Sequence, residues 1–357
     1  MEPPCTLPWK EIRSLLAVRL DNIGDVVMLT PALRGLREHL PDARITLLGT
    51  KAGAKVAPML PWVDQVIPWK PVWQELSAMP LDAARERSQI DQLRLGAYDA
   101  ALIFTSFSQS PHPPAFVCRQ AGIPWTAAQS REAGSSLTHP VPPVGDNLHQ
   151  SERSLYLLEA LGLPAASRRL ELKIPPFAEE SAQRLLDEAG VDGDRPLAVV
   201  APGASCQARR YPAARYAKAI RLLRRKTGVQ VVVAGSEGEE GVVREILGAA
   251  GEPLQRSLAG CSVPEMAAVI RRADLLIANN SSQLHIADAV MTPMVILYSG
   301  TETREQWSPR FTSAVLLRRE VNCSPCHAFQ CPFGEPDCLD VPPEDVAAAA
   351  EKLLAGN

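Results

Sequence analysis

The stretch Arg19-Leu20-Asp21-Asn22-Ile23-Gly24-Asp25-Val26-Val27-Met28-Leu29-Thr30-Pro31-Ala32-Leu33 decides the reading of the fold. Before it, Leu15-Leu16-Ala17-Val18-Arg19-Leu20 is short, apolar and bounded, as a buried first strand is. After it, Val26, Leu29, Leu33, Leu36 and Leu40 recur at helical spacing. Residues 21–25 are therefore the turn between a strand and the helix it feeds. In an open parallel sheet such a turn opens on the ligand crevice beyond the carboxyl ends of the strands. Gly24 lets the backbone turn tightly and leaves room for a ligand. Asp25 then stands at the mouth of the crevice, in the first helical turn. Position alone allows two roles for it. It is a helix-end carboxylate complementing free N–H groups and the dipole, or a general base aimed into the crevice.

Working outward, Arg44–Leu48 reads as a second strand, Val63–Ile67 as a weak third and Tyr98–Phe104 as another buried one. Ala84–Leu95 and Leu148–Leu161 read as helices, the latter ended by Gly162. Residues 105–147 are Ser/Pro-rich and poorly patterned, with a short helix at Ala115–Ala121. Leu170-Glu171-Leu172 reads as a short strand, and Pro175-Pro176 as a stiff break. A second alternating unit follows. Its strands are Leu197–Ala201, Val229–Ala234, Leu275–Ala278 and Met294–Tyr298. Its helices are Phe177–Ala189, Pro212–Arg225, Gly238–Leu247, Pro264–Arg272 (capped by Ser262), Gln283–Val290 and Glu344–Leu354. Strand–helix alternation predicts an α/β fold with parallel sheets covered on both faces. The two halves repeat one architecture, so two Rossmann-like domains facing a central cleft are expected: residues 1–174, residues 175–342, and a C-terminal helix over 343–357. Neither half carries G-x-G-x-x-G with a following acidic residue, which argues against a nicotinamide or flavin enzyme.

With 357 residues, 46% hydrophobic and 22% charged, the chain can bury two substantial cores. A net charge of −3 supplies no basic field for nucleic acid. The longest apolar runs are too short to cross a bilayer, and Met1–Lys10 lacks the apolar centre of a signal peptide. A cytoplasmic location with at most peripheral membrane contact is expected.

Three loops of the second half suit a phosphorylated ligand. Ala201-Pro202-Gly203-Ala204-Ser205 ends a strand, and Arg209 and Arg210 precede the next helix. The bland reading of that arginine pair is a solvated face. Gly235-Ser236-Glu237-Gly238-Glu239-Glu240 follows the next strand, where an acidic side chain takes ribose hydroxyls or simply starts a helix. Asn279-Asn280-Ser281-Ser282-Gln283-Leu284-His285 opens a helix with four small polar residues, more than a cap requires, and a helix N-terminus suits a pyrophosphate. A histidine such as His285 is more often a core side chain than a ligand-binding one.

Of eight cysteines, Cys323, Cys326, Cys331 and Cys338 cluster. In a cytoplasmic chain this spacing points to metal rather than disulfides. Four thiolates suit a structural Zn²⁺, with His327 a spare ligand. The spacing fits neither common ferredoxin pattern.

The string Arg-x-x-x-x-Gly-Asp-x-x-x-x-Thr-Pro-Ala-Leu resembles the opening of glycosyltransferase family 9, the bacterial heptosyltransferase-like enzymes. The later loops match it in order and spacing: Pro202–Ser205, Arg209 before Arg210-Tyr211-Pro212, Glu239, and Asn280–Ala287 with His285 inside. The resemblance covers nearly the whole chain, and a subset of the family also resembles the cysteine block ending in Cys338-Leu339. It departs at Arg209, where the family has lysine, at Ser282, where it has glycine, and at Asn280, where aspartate is common.

The resemblance implies a GT-B fold and inverting, divalent-metal-independent transfer with Asp25 as base. It implies a nucleotide-sugar donor, ADP-heptose or similar, touching Gly24, Ser205, Arg209, Arg210, Glu239, Asn280, Ser281, Ser282, Gln283 and His285. The acceptor is a sugar or glycoside hydroxyl, on lipopolysaccharide core or on a small molecule. A non-catalytic nucleotide-sugar- or metal-binding relative and a sugar-nucleotide epimerase are the alternatives, the second separable by incubation without acceptor.

Overall fold

A computed structural model describes residues 7–73, 80–107, 109–132, 134–236, 238–251 and 258–356. The chain divides into two compact units between Leu170 and Glu171.

The first unit runs β1 (Ser14–Arg19), α1 (Ile23–His39), β2 (Arg44–Gly49), β3 (Gln65–Pro68), α2 (Ala83–Leu95), β4 (Ala100–Ile103), α3 (His112–Gln120), β5 (Trp125–Gln129), β6 (His139–Val141) and α4 (Gln150–Ala160). These strands form one parallel sheet in the order β3-β2-β1-β4-β5-β6. Every residue of β1 is buried, because the strand is central and helices cover both faces of such a sheet. The order reverses between β1 and β4, so the turn after β1 lies at a topological switch point.

Two expectations need correction here. Residues 105–147 hold β5 and β6 as well as α3. Trp125-Thr-Ala-Ala-Gln129 has no continuous apolar run, and β6 contains Pro140, tolerated because that strand closes the sheet at its edge. Leu170–Leu172 is irregular rather than a strand, although both leucines are buried. Its alternation reports one-sided burial, which an extended segment shares with a strand.

The second unit runs α5 (Pro176–Glu188), β7 (Leu197–Ala201), α6 (Ala213–Thr227), β8 (Gln230–Gly235), α7 (Glu240–Ala250), β9 (Leu258–Ala259), α8 (Val263–Arg272), β10 (Leu275–Asn279), α9 (Ser282–Val290), β11 (Met294–Leu297), α10 (Arg304–Trp307), β12 (Ala314–Leu317) and α11 (Pro343–Ala355). Its parallel sheet has the order β12-β11-β10-β7-β8-β9, reversing between β7 and β10. Ser262 caps α8 as expected, with Glu265 completing a capping box. Helix α11 is part of this unit's core: Val346, Ala347 and Ala350 pack with Tyr216, Ile220 and Leu297. No helix among the described residues is long and apolar enough to cross a membrane.

Candidate functional site

In the first unit the polar side chains gather at the carboxyl end of β1. Arg19, its last residue, is 1% exposed. Its Nε stands 3.0 Å from Asp21 Oδ2. Its Nη2 donates to Asp25 Oδ1 and to Ser106 Oγ, each at 2.9 Å. Asp25 Oδ2 accepts the Asn22 backbone N–H at 3.2 Å, closing a capping box at the start of α1. Asp25 is thus a helix-end carboxylate in fact. That does not exclude a second role. Each carboxylate oxygen offers two lone-pair directions, so each keeps one for an incoming hydroxyl. The clamp fixes the carboxylate's direction without consuming it.

Asp21 is the more perturbed carboxyl. Burial raises its pKa and the neighbouring Asp25 adds to the rise, while Arg19 and the Gln109 hydrogen bond (2.6 Å) oppose it. Arg153, on α4, is a second buried guanidinium, lying over the Phe107 ring at 4.4 Å. Its Nε and Nη1 have no hydrogen-bond partner among the described residues. Burial lowers its pKa to about 10, with Arg19 and Arg131 adding like-charge repulsion. Ser106, Gln109 and Arg153 were not singled out from sequence. For Ser106 and Gln109, which follow β4, the one signal is topological, since loops after the strands flanking a switch point converge there; Arg153, on α4, carries no such signal.

In the second unit, four loops follow β7, β8, β10 and β11 at the same end of the sheet. Gly203 has a steric reason to be glycine: a Cβ there would stand 1.8 Å from Glu239 Oε1. Glu239 Oε2 accepts the Ser236 N–H and hydroxyl, each at 2.7 Å. The Pro202–Ser205 loop and the Glu239 side chain are thereby in close contact. Asn279 ties in the third: its Nδ2 donates to Pro202 O at 2.6 Å, and its Oδ1 accepts from the Tyr211 N–H and the Tyr216 hydroxyl.

The expected phosphate-facing side chains divide into two groups. Asn280 is buried, and its amide is committed to the Ser299 N–H (3.0 Å) and Glu302 Oε2 (3.4 Å). The Ser281 and Ser282 hydroxyls both donate to Gln283 Oε1, at 2.5 and 3.2 Å. Arg210 donates to Ala204 O and so supports the Pro202–Ser205 loop. What this region offers an anion is therefore the start of α9 and Arg209, more than the polar side chains the sequence pointed to. Arg209 donates from Nε to Thr301 Oγ1 at 3.0 Å and from Nη2 to Glu302 Oε1 at 2.6 Å. Thr301 and Glu302, which follow β11, were missed. Ser205 is exposed beside this group.

His285 lies on the buried side of α9. Burial, then the nearby Arg209 charge, lowers its pKa to about 3, so it is neutral in ordinary buffers and offers an anion no charge. An unfolded histidine gains its proton near 6.5. Between 6.5 and 3 the unfolded chain binds more protons, so stability falls as pH drops through that window and is unaffected by this group above it. Replacing His285 by Asn is expected to flatten the fall of Tm with acid across that range. An unchanged slope would show that His285 is protonated when folded.

Cys323, Cys326, Cys331 and Cys338 line one cavity of about 350 Å³, and none is in a disulfide. The expected four-thiolate metal centre is only half-built. The thiols share a cavity, yet among the described residues no three His, Cys, Asp or Glu side chains converge closely enough to hold an ion. The block also lies against the loop after β11, since Gly300 and Thr301 line the same cavity. A larger cavity, about 540 Å³, is lined by Arg195, Arg221, Arg224 and Arg225. It borders Val229 and Gln230 at the amino end of β8, opposite the loops above, and Arg195 there donates to Gly228 O at the end of α6.

The sequence model described as glycosyltransferase family 9 (heptosyltransferase) matches residues 87–336. Lipopolysaccharide heptosyltransferase 3 of Escherichia coli is 26% identical, over 94% of this chain and 97% of its own length. Among solved structures, a family 9 glycosyltransferase from Veillonella parvula superposes with a TM-score of 0.78 at 19% identity, covering 99% of each chain. The ADP-heptose lipopolysaccharide heptosyltransferase II of E. coli gives 0.75 at 21% identity, over 96% of this chain and 99% of its own. The two parallel α/β units are thus those of the GT-B type. The family match spans more than half of the chain and runs through all four loops of the second unit: the chain belongs to glycosyltransferase family 9, the heptosyltransferases.

Proposed function

We propose that this glycosyltransferase moves a heptose from ADP-heptose to an acceptor hydroxyl with inversion at the anomeric carbon. The observation that carries the reading is the Arg19 clamp, which holds Asp25 at a switch point with lone pairs to spare. Asp25 takes the acceptor proton as the acceptor oxygen attacks the anomeric carbon. The bond from that carbon to the diphosphate oxygen breaks, and ADP leaves. The second unit stabilises the developing diphosphate charge through the start of α9 and through Arg209. Arginine has five N–H donors, more than Thr301 and Glu302 take up, so Arg209 can hold phosphate without losing either partner. These groups supply the charge stabilisation a divalent ion would otherwise give.

ADP-heptose is the donor named for the E. coli structure. The acceptor is lipopolysaccharide core or a small glycoside; lipopolysaccharide is named for the relative from E. coli. A cytoplasmic enzyme with at most peripheral membrane contact goes with this reading. Unfolding midpoints measured with ADP-heptose and with other nucleotide sugars test it. ADP-heptose is expected to stabilise most; no response to it would remove the assignment.

The reading includes one structural Zn²⁺ held by Cys323, Cys326, Cys331 and Cys338, supported by their shared cavity and by the suitability of four thiolates for zinc. No reaction step passes through it. The purified protein is expected to carry about one equivalent of zinc, and Cys326→Ser to lose stability with the metal. Metal-free protein with all four thiols reactive would exclude the ion.

A further inference from the structure

Arg209 ends a single 3-10 turn, Gln207–Arg209. One such turn has little stability of its own, so outside contacts must set its geometry. Those contacts come from the cysteine-rich segment. The Ala208 N–H donates to Phe329 O at 3.2 Å. The Gln207 side chain is bonded at both ends, with Oε1 accepting the Cys331 N–H at 3.0 Å and Nε2 donating to Gly334 O at 3.1 Å.

The partners of Arg209 rest on the same segment. The Cys326 N–H donates to Gly300 O at 3.1 Å and the His327 N–H to Thr301 O at 3.0 Å. A Cβ on Gly300 would stand 3.2 Å from Ser324 Cβ and 3.3 Å from Cys338 Cβ, so the loop and the segment are in close contact. Backbone bonds from residues 326–334 therefore reach Arg209 from its own turn and from the loop carrying Thr301 and Glu302. A surface staple that only tidied a chain terminus would have no reason to meet the arginine from both directions.

We propose that segment 323–338 is a brace for the donor arginine, and that Gln207 is the positioning residue carrying it to Arg209. The inference rests on the reading of Arg209 as a donor-phosphate ligand. It relates the cysteine block to donor affinity, in addition to any part in stability.

The test is a double-mutant cycle read by calorimetric titration with ADP. Gln207→Ala, a change at an exposed side chain, is expected to raise the ADP Kd about threefold to tenfold with the unfolding midpoint unmoved. In an Arg209→Ala background the same change is expected to have no effect on Kd, because what it positions is gone. Gly300→Ala reaches the same constellation from the other side and is expected to behave alike in both backgrounds. Equal losses from Gln207→Ala with and without Arg209 would show a general structural effect and overturn the proposal, as would an unchanged Kd when Gln207→Ala is made in the otherwise unaltered protein. If Arg209→Ala itself left ADP binding unchanged, the donor reading would fall first and the brace with it.

Discussion

Replacing Asp25 by Asn is expected to lower kcat by about 10²–10⁴-fold, the usual contribution of a general base. The substitution keeps the shape of the side chain and removes the lone pair that would take the acceptor proton. One oxygen remains to accept from Arg19, so the guanidinium stays near its place between Asp21 and Ser106. The amide nitrogen, however, would face the Asn22 N–H where Asp25 Oδ2 now accepts it. The helix start also loses an anion, at a cost of about 0.3–1 kcal/mol. A small drop in Tm should therefore accompany the large drop in turnover. Donor affinity should be preserved, because the loops proposed to hold the donor belong to the second unit. Near-normal turnover would mean that Asp25 only caps α1 and that the base is elsewhere, with Asp21 the next carboxyl to test.

Arg209→Ala is expected to weaken ADP-heptose binding by about 1.5–3 kcal/mol, the range for hydrogen bonds to charged groups. Two effects add. The diphosphate loses a donor, and Glu302 loses the counterion 2.6 Å away and becomes a negative charge facing a negative ligand. This predicts a partial rescue: Arg209→Ala combined with Glu302→Gln should bind better than Arg209→Ala alone. Titration calorimetry checks both. Unchanged affinity in the single variant would remove Arg209 from the donor site.

The β1–α1 turn was legible because its signals are local. An apolar strand, a glycine and a helical apolar stripe are contiguous in the chain, and the fold follows them closely. The role of Arg19 was not legible. It reads as the end of a strand, and its partner Ser106 lies 87 residues away. Strands β5 and β6 escaped notice because one lacks an apolar run and the other carries a proline. In the second unit the loops were placed correctly by the strands before them, but the present partners of their side chains were not legible. Asn280, Ser281 and Ser282 look like phosphate ligands in sequence, and in this structure their polar atoms bond to Ser299, Glu302 and Gln283. Polar residues in a row compete for one another, and the winner is fixed by neighbours that sequence does not order. The cysteine block was readable as a cluster, but its contact with Gly300 and Thr301 follows from the fold alone.

The most direct measurement is transfer from ADP-heptose labelled at its anomeric carbon to the acceptor, lipopolysaccharide core or small glycoside, that the unaltered enzyme glycosylates, for that enzyme and Asp25→Asn, with the product's anomeric configuration read by NMR. The account predicts label in the acceptor with inverted configuration, ADP released in equal amount, and transfer slowed by about 10²–10⁴-fold in an Asp25→Asn protein that still binds the donor. Equal transfer by the two proteins, or retention of configuration, would contradict it.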